Sequence, residues 1–246
     1  MKRFWDQATI APAEGGWQVE LDGKPMRLPS GARLELPGRA LAEAVAAEWQ
    51  AAGGGAKGGE TSFAALPLTR LAGTAQERIA PDPEPVILEL ARYGESDLLC
   101  YRAGEPEALV RRQAASWQPW LDWAAATLGA RLVVAQGIVH VAQPPEALAA
   151  LAGAVARHGA HELASLGVVV PALGSLVLAL ALVAGRLDAP GAHALASLDE
   201  IFQQEFWGID EEAAARQADI ARDLAVAERF LRLVQARENG GREAGA

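Results

Sequence analysis

Residues 17–28, with the sequence WQVELDGKPMRL, decide the fold of the N-terminal part of the chain. Apolar residues alternate with polar ones on both sides of Asp22-Gly23, a dipeptide that favours two-residue hairpin turns. After a turn at residues 29–31, Leu34 and Leu36 alternate again. The pattern predicts a three-stranded β-meander.

A helix is predicted directly after the meander, at residues 39–52. Leu41, Val45 and Trp49 recur every four residues and form one apolar stripe, so we expect Trp49 to be a structural residue that anchors the helix to the sheet. The following segment 53–59, GGGAKGG, matches G-x-G-x-x-G. A helix precedes it where a dinucleotide site needs a strand, and Lys57 is followed by Gly, not by Ser or Thr. We therefore predict a flexible loop rather than a nucleotide site.

The 3.6-residue period of helices dominates from about residue 83 onward. Helices are predicted at 83–94 and 105–128, the latter kinked or divided at Pro119, and a run of Ala/Leu-rich helices at 144–237 has breaks near residues 159, 167, 185 and 208. Segment 131–143 is predicted as a β-hairpin that can pack with the N-terminal sheet. The predicted fold is α+β and predominantly α, with a small β-rich domain at 1–82 and an all-helical bundle at 83–246.

Composition excludes several classes of function. The chain has 22 Lys+Arg against 31 Asp+Glu, a net charge of −9, so it lacks the basic surface that nucleic-acid binding requires. A lone cysteine, Cys100, and the absence of a secretory signal favour a reducing, cytoplasmic location. Residues 163–185 carry no charge, but Pro171 divides them, and we predict a buried core helix rather than a membrane span.

Candidate catalytic and metal-binding residues are few. His158 and His161, beside Glu162, could share a helix face and bind a metal ion, but no further ligand stands at a recognisable spacing. Cys100 lies among apolar neighbours and is expected to be a core thiol. We predict no catalytic residue, no metal and no cofactor, and hence no enzyme.

A helix is predicted from Ala192 to Trp207. At about 100° per residue, Glu200 and Gln204 lie opposite one apolar arc, so Glu200 is expected to face solvent or a partner. Glu205 lies inside that arc and needs a partner such as an arginine. Gly208 ends the helix, which makes it a structural residue. The arc comprises Leu195, Leu198, Ile201, Phe202 and Phe206.

The last predicted helix begins at Asp210 and carries acidic residues in its first turn and arginines toward its end, the order that suits a helix dipole. Residues 239–246 are expected to form a frayed tail.

Several short strings, in this order along the chain, together resemble the ATP12 family, assembly chaperones of the F1 sector of ATP synthase. They are Val19-Glu20-Leu21-Asp22-Gly23-Lys24-Pro25, Ala46-Ala47-Glu48-Trp49, Pro67-Leu68-Thr69-Arg70-Leu71, Asp97-Leu98-Leu99-Cys100-Tyr101-Arg102, Trp120-Leu121-Asp122-Trp123-Ala124, Gly174-Ser175-Leu176-Val177-Leu178, and Leu198-Asp199-Glu200 followed by Phe206-Trp207-Gly208.

The resemblance implies a β-rich N-terminal domain, a helical domain and no ATP hydrolysis. It also implies binding of the free α subunit of F1, which the chaperone keeps from aggregating. The family's functionally implicated glutamate matches Glu200, and we assign partner binding to Glu200 with Asp199, Gln204 and Trp207. A helix-borne tryptophan implicated in the family matches Trp49. The chain looks like a bacterial, cytoplasmic and monomeric member.

Two alternatives stay open at the level of sequence. One is a nucleotide- or metal-dependent enzyme, which the glycine-rich loop and the histidine pair would support. The other is a general adaptor that binds several proteins through its helical domain.

Overall fold

The structure is a computed structural model that describes residues 1–137, 139–208 and 210–240. The described chain forms two compact units: residues 1–83 with 160–165 and 229–240, and residues 84–159 with 166–228. The fold is α+β and mostly α, as predicted. The domain boundary expected between residues 82 and 83 stays a prediction.

The N-terminal sheet is built around the hairpin that the sequence predicts. Strand β2 (Gly16–Leu21) turns through Asp22-Gly23 into β3 (Lys24–Pro25), and β4 (Glu35–Leu36) also pairs with β2, antiparallel. The turn has φ of 49° and 75°, and the Asp22 carboxylate accepts hydrogen bonds from the backbone of residues 6 and 7, which lower its pKa. The second and third predicted strands pair as in a meander through the antiparallel bridge between Arg27 and Arg33, and the third strand then continues into β4, which joins β2.

A further strand, β1 (Ala8–Ala13), pairs with the whole of β2 and was not predicted from the sequence. Its residues ATIAPA have weak strand propensity, and Pro12 lowers it further, so the hydrogen bonds to β2 rather than the local sequence make this segment a strand.

Helix α1 (Arg39–Ala51) follows the sheet and buries Leu41, Val45 and Trp49, the predicted stripe. The Trp49 ring lies 4.9 Å from the Trp5 ring, and its Nε1 donates to Thr69 Oγ1 at 2.9 Å. Thr69 lies in the first turn of helix α2 (Pro67–Thr74), and its hydroxyl donates to Glu48 at 2.7 Å. Glu48 also accepts from the first backbone N–H groups of α2 and so caps this helix.

The glycine-rich loop lies against the N-terminal residues. Arg3 N donates to the Gly59 carbonyl, and Gly58 N donates to the Arg3 carbonyl. Gly53, Gly54 and Gly55 all have positive φ, which an L-residue with a side chain rarely adopts. Hydrogen bonds to the backbone of Arg3 thus hold the loop in the conformation that the structure shows, and its flexibility stays a prediction.

Helices dominate the described chain after the glycine-rich loop. A short parallel pair is formed by β5 (Tyr101–Arg102) and β6 (Ala135–Gln136). The helices are α3 (Glu84–Ala91), α4 (Glu107–Trp123), α5 (Pro145–Val155), α6 (Ala160–Leu173), α7 (Leu176–Val183), α8 (Ala189–Ala196), α9 (Leu198–Trp207) and α10 (Glu211–Gly240).

The hairpin predicted at 131–143 is wrong. In the described part of this segment, β6 is the single strand, and it pairs with β5 rather than with the N-terminal sheet. The Gln143 amide accepts from Val133 N at 2.8 Å and donates to Val133 O at 2.9 Å. A side chain thus takes the place of the second strand. Ile138, which belonged to the prediction, lies outside the described residues.

Two predicted helix breaks also differ. Helix α6 runs through residue 167 and through Pro171, and the chain breaks instead at Gly174, whose φ is +60°. Pro119 lies inside α4, which it does not divide.

Asn239 and Gly240, predicted as part of a tail, belong to α10, while residues 241–246 lie outside the described residues.

The break between α6 and α7 is held by Asp97, a fully buried carboxylate. It accepts from the Ser175 hydroxyl at 2.8 Å and from Val177 N at 3.0 Å, and the helix α7 that begins there is buried along its whole length. Burial raises the pKa of the Asp97 carboxyl. No helix in the described part of the chain is long and apolar enough to cross a membrane.

Candidate functional site

The helix predicted at 192–207 is interrupted at Ser197, which has φ −93° and ψ 16° and separates α8 from α9. The Ser197 hydroxyl donates to Gln217 Oε1 at 2.8 Å, and the Trp117 indole donates to the Leu195 carbonyl at 2.9 Å. In a continuous helix the Leu195 carbonyl would accept from the N–H of Asp199, whereas here the Trp117 indole donates to it. These two hydrogen bonds fix the point where α9 begins.

Helix α9 buries a narrow strip made of Leu198 and Phe202. At about 100° per residue, Glu200 and Trp207 lie directly opposite this strip, with Gln204 beside them. Glu200 is exposed and has no hydrogen-bond or ion-pair partner among the described residues, and Gln204 is half-buried. The helical arithmetic therefore places Glu200 correctly on the outer face.

The apolar arc that the sequence predicts for this helix is only partly covered. Ile201 is 40% exposed, Phe206 67% and Trp207 84%, and Phe206 touches the rest of the helix through the Phe202 ring at 5.1 Å. Ile201 and Phe206 belong to the predicted arc and are nevertheless exposed, because an apolar pattern does not tell whether a neighbouring element covers it. The last turn of α9 thus presents two consecutive exposed aromatic side chains, Phe206 and Trp207, and Ile201 is exposed on the other side of the buried strip.

Glu205 has the arginine partner that its position requires. Arg112 of α4 donates to both Glu205 carboxylate oxygens, at 2.6 and 3.0 Å, and its guanidinium lies 5.1 Å from the centre of the Phe202 ring. The hydrogen bond from Arg112 lowers the pKa of Glu205, and the carboxylate in turn raises the pKa of Arg112. Both side chains are about half exposed, so solvent screens the pair.

Asp199 is engaged inside the protein as well. Gln113, the next residue of α4, is buried, and its Nε2 donates to Asp199 Oδ1 at 2.7 Å while its Oε1 accepts from Ala103 N at 2.7 Å. Sequence reasoning missed Arg112 and Gln113. No local pattern could have shown them, since they lie more than 80 residues from their partners.

Helix α9 ends at Gly208, which has φ +83° and ψ 178°, a conformation that is essentially restricted to glycine. Its N–H donates to the Gln204 carbonyl at 3.1 Å. Beyond it, Asp210 accepts from the first backbone N–H groups of α10. Between Arg186 and Arg216 the sequence has no Lys or Arg and seven Asp or Glu, so the stretch of chain that carries α9 is acidic.

Three features bear on the enzyme hypothesis: the cleft beside the glycine-rich loop, the possible metal ligands and Cys100. The cleft beside the glycine-rich loop is lined by Glu48 and Glu60, whose charge opposes the binding of phosphate. In the described part of the chain no group of three or more His, Cys, Asp or Glu is placed to hold a metal ion. Cys100 is buried, and burial raises its pKa to about 12, so its thiolate is not populated near neutral pH.

Comparison with known proteins identifies the group to which the chain is similar. The family model described as ATP12 chaperone protein matches residues 2–125. The crystal structure of Atp12 from Paracoccus denitrificans is 45% identical, with a TM-score of 0.88, and the alignment covers 95% of this chain and 98% of that one.

Two further structures agree. An aspartate-to-lysine mutant of P. denitrificans Atp12p is 45% identical with a TM-score of 0.89, and the match covers 95% of this chain and 97% of that chain. A protein from Agrobacterium tumefaciens is 42% identical with a TM-score of 0.88, at a coverage of 95% and 86%.

The relatives define the class: the protein is an assembly chaperone. Within that class, the chain belongs to the ATP12 family.

Proposed function

We propose that this protein binds the unassembled α subunit of F1-ATPase and keeps it from aggregating until F1 assembles. The outer face of α9, with Glu200, Gln204 and Trp207, makes the contact. The protein acts as a monomer and without nucleotide, metal or catalytic step.

The observation that carries the proposal is the combination of Glu200 with the exposed Phe206 and Trp207 rings. Large apolar side chains that cluster on a surface commonly mark a protein-binding site, and tryptophan is enriched among the residues that dominate binding energy. The acidic character of the stretch of chain that carries α9 fits a partner surface that carries Lys or Arg around an apolar patch. Such charges also speed association at low salt.

Mixing the chaperone with unassembled α subunit tests the proposal, with the β subunit as the comparison. We expect the chaperone to suppress light scattering of α and to form a soluble complex with it, whereas β stays without a complex. Replacing Glu200 with Lys sets a cation against the partner's cation or donor. The loss of such a contact costs about 2–5 kcal/mol, or roughly 30-fold or more in affinity.

The matched control for Glu200→Lys is Glu146→Lys. Both are exposed glutamates in the first turn of a helix, so reversing the charge has the same effect on the helix dipole, up to about 1 kcal/mol. For Trp207→Ala the control is Phe4→Ala, which removes another highly exposed aromatic ring. A Glu200→Lys protein that melts like Glu146→Lys and still protects α fully would refute the contact role of Glu200.

A further inference from the structure

Two side-chain contacts connect α4 to α9, one on each side of the buried strip of α9. They are the Arg112–Glu205 ion pair and the Gln113–Asp199 hydrogen bond, called the polar ties below. We propose that Arg112 and Gln113 are positioning residues for partner binding: through Glu205 and Asp199 they fix the rotation of α9 that directs Glu200 and Trp207 outward. The inference rests on the proposed function only for its binding assay.

The geometry of α9 makes such ties necessary. A helix is usually held by an apolar stripe about 100° wide, whereas α9 buries two side chains, Leu198 and Phe202, on one line. A strip this narrow fixes the distance of a helix from its neighbour but resists rotation about the helix axis weakly. Apolar contact is not directional, and a rotated helix would bury Ile201 or Phe206 about as well.

The ties oppose rotation in both directions. At about 100° per residue, Asp199 lies about 80° to one side of the buried strip and Glu205 about 40° to the other. They are six residues apart, about 9 Å along the helix axis, so they also hold both ends of α9. Hydrogen bonds are directional, and the bidentate bond from Arg112 admits one orientation of the Glu205 carboxylate.

Asp199 thus acquires a role different from the direct contact that its position beside Glu200 suggests. Its Oδ1 is occupied by Gln113, whose other amide atom is occupied by the backbone of Ala103. Because Gln113 is buried and both atoms are used, the amide has one orientation and can only donate to Asp199. An asparagine at 199 keeps an acceptor for this bond and loses the charge, whereas an alanine loses both.

The first experiment compares Arg112→Met with Arg111→Met. Arg111 lies on the same helix and pairs with Glu107 on the surface, so its loss does not touch α9. Amide hydrogen exchange over residues 198–207 is measured on both full-length proteins without partner, with α7 as internal reference. We expect exchange in α9 to rise roughly 2- to 30-fold in Arg112→Met alone, and binding of unassembled α to weaken by a similar factor.

Rescue separates positioning from a general effect on stability. The double variant Arg112→Glu with Glu205→Arg restores the tie with reversed polarity and should restore both slow exchange and binding. Asp199→Asn should bind α like wild type, and Asp199→Ala should not. The proposal is overturned if Arg112→Met behaves like Arg111→Met, if the double variant is no better than Arg112→Glu alone, or if Asp199→Asn binds as poorly as Asp199→Ala.

The two proposals fail separately. If wild-type protein does not bind α, the proposed function is wrong, and the exchange data on α9 still decide whether Arg112 and Asp199 position the helix. Suppose instead that wild type binds α and Glu200→Lys does not. If Arg112→Met then raises hydrogen exchange in α9 but leaves binding of α unchanged, the positioning role is wrong and the contact role of Glu200 stands.

Discussion

Replacing Trp49 with alanine should destabilise the N-terminal unit without touching the partner surface. The Trp49 side chain is 4% exposed and packs against Trp5, and truncation of a buried aromatic costs about 3–5 kcal/mol. Loss of the hydrogen bond to Thr69 adds about 0.5–1.5 kcal/mol, at the lower end because the Thr69 hydroxyl keeps its bond to Glu48. The total, about 3.5–5.5 kcal/mol, is a large part of the usual stability of about 5–15 kcal/mol.

The assay is denaturant unfolding followed by circular dichroism, with the free energy taken from the midpoint and slope. Trp49→Phe is the control, because it keeps an aromatic ring and loses the bond to Thr69. We expect a loss of about 1–2 kcal/mol for this variant, well below the loss for alanine. Trp49→Arg should be worse than alanine, since it places a charge in the same buried site.

The opposite pattern would refute the reasoning. If Trp49→Ala unfolds at the wild-type midpoint and yet fails to bind α, Trp49 belongs to an interface and not to the core.

Four other results are expected. Asp97→Ala leaves two buried N–H groups unpaired and should cost at least about 2 kcal/mol in denaturant unfolding, against about 1 kcal/mol for Asp188→Ala, which removes an exposed helix cap. Because the pKa of Glu205 is lowered by Arg112, its stabilising effect is fully present above the ordinary value of 4.5 and disappears as pH falls through the lowered pKa; NMR titration should show that pKa rising toward 4.5 in Arg112→Met. Gly208→Ala forces a side chain into a conformation reserved for glycine and should cost about 1–3 kcal/mol in a thermal melt. Calorimetry with ATP and ADP should give no binding heat, and a stoichiometric micromolar signal would revive the enzyme hypothesis.

The elements that the sequence predicted well are those with a local cause. The hairpin at 22–23 is set by a turn dipeptide, and α1 is set by a stripe that recurs every four residues. Strand β1 and the segment around Val133 were mispredicted because their conformation depends on partners far along the chain, β2 in one case and Gln143 in the other. Local propensity is weak in both, so the distant partner decides.

The candidate site likewise has a part that local sequence predicted and a part that depends on distant residues. Helical spacing alone put Glu200 on the outer face of α9 and required a partner for Glu205, because the angle between residues on a helix is fixed by its hydrogen bonds. Spacing could not show that Phe206 and Trp207 stay uncovered or that Arg112 is the partner, since both depend on where another helix packs.

The sequence by itself therefore determined the helical periodicity, the turns, the acidic net charge and the order of the strings that resemble the ATP12 family. Only the tertiary structure decided which of these strings come into contact with each other. Glu48 and Trp49 both form hydrogen bonds with Thr69, and Asp97 accepts a hydrogen bond from Ser175. The reason is physical: a buried hydrogen bond needs a donor and an acceptor at one point in space, and distance along the chain does not fix that point.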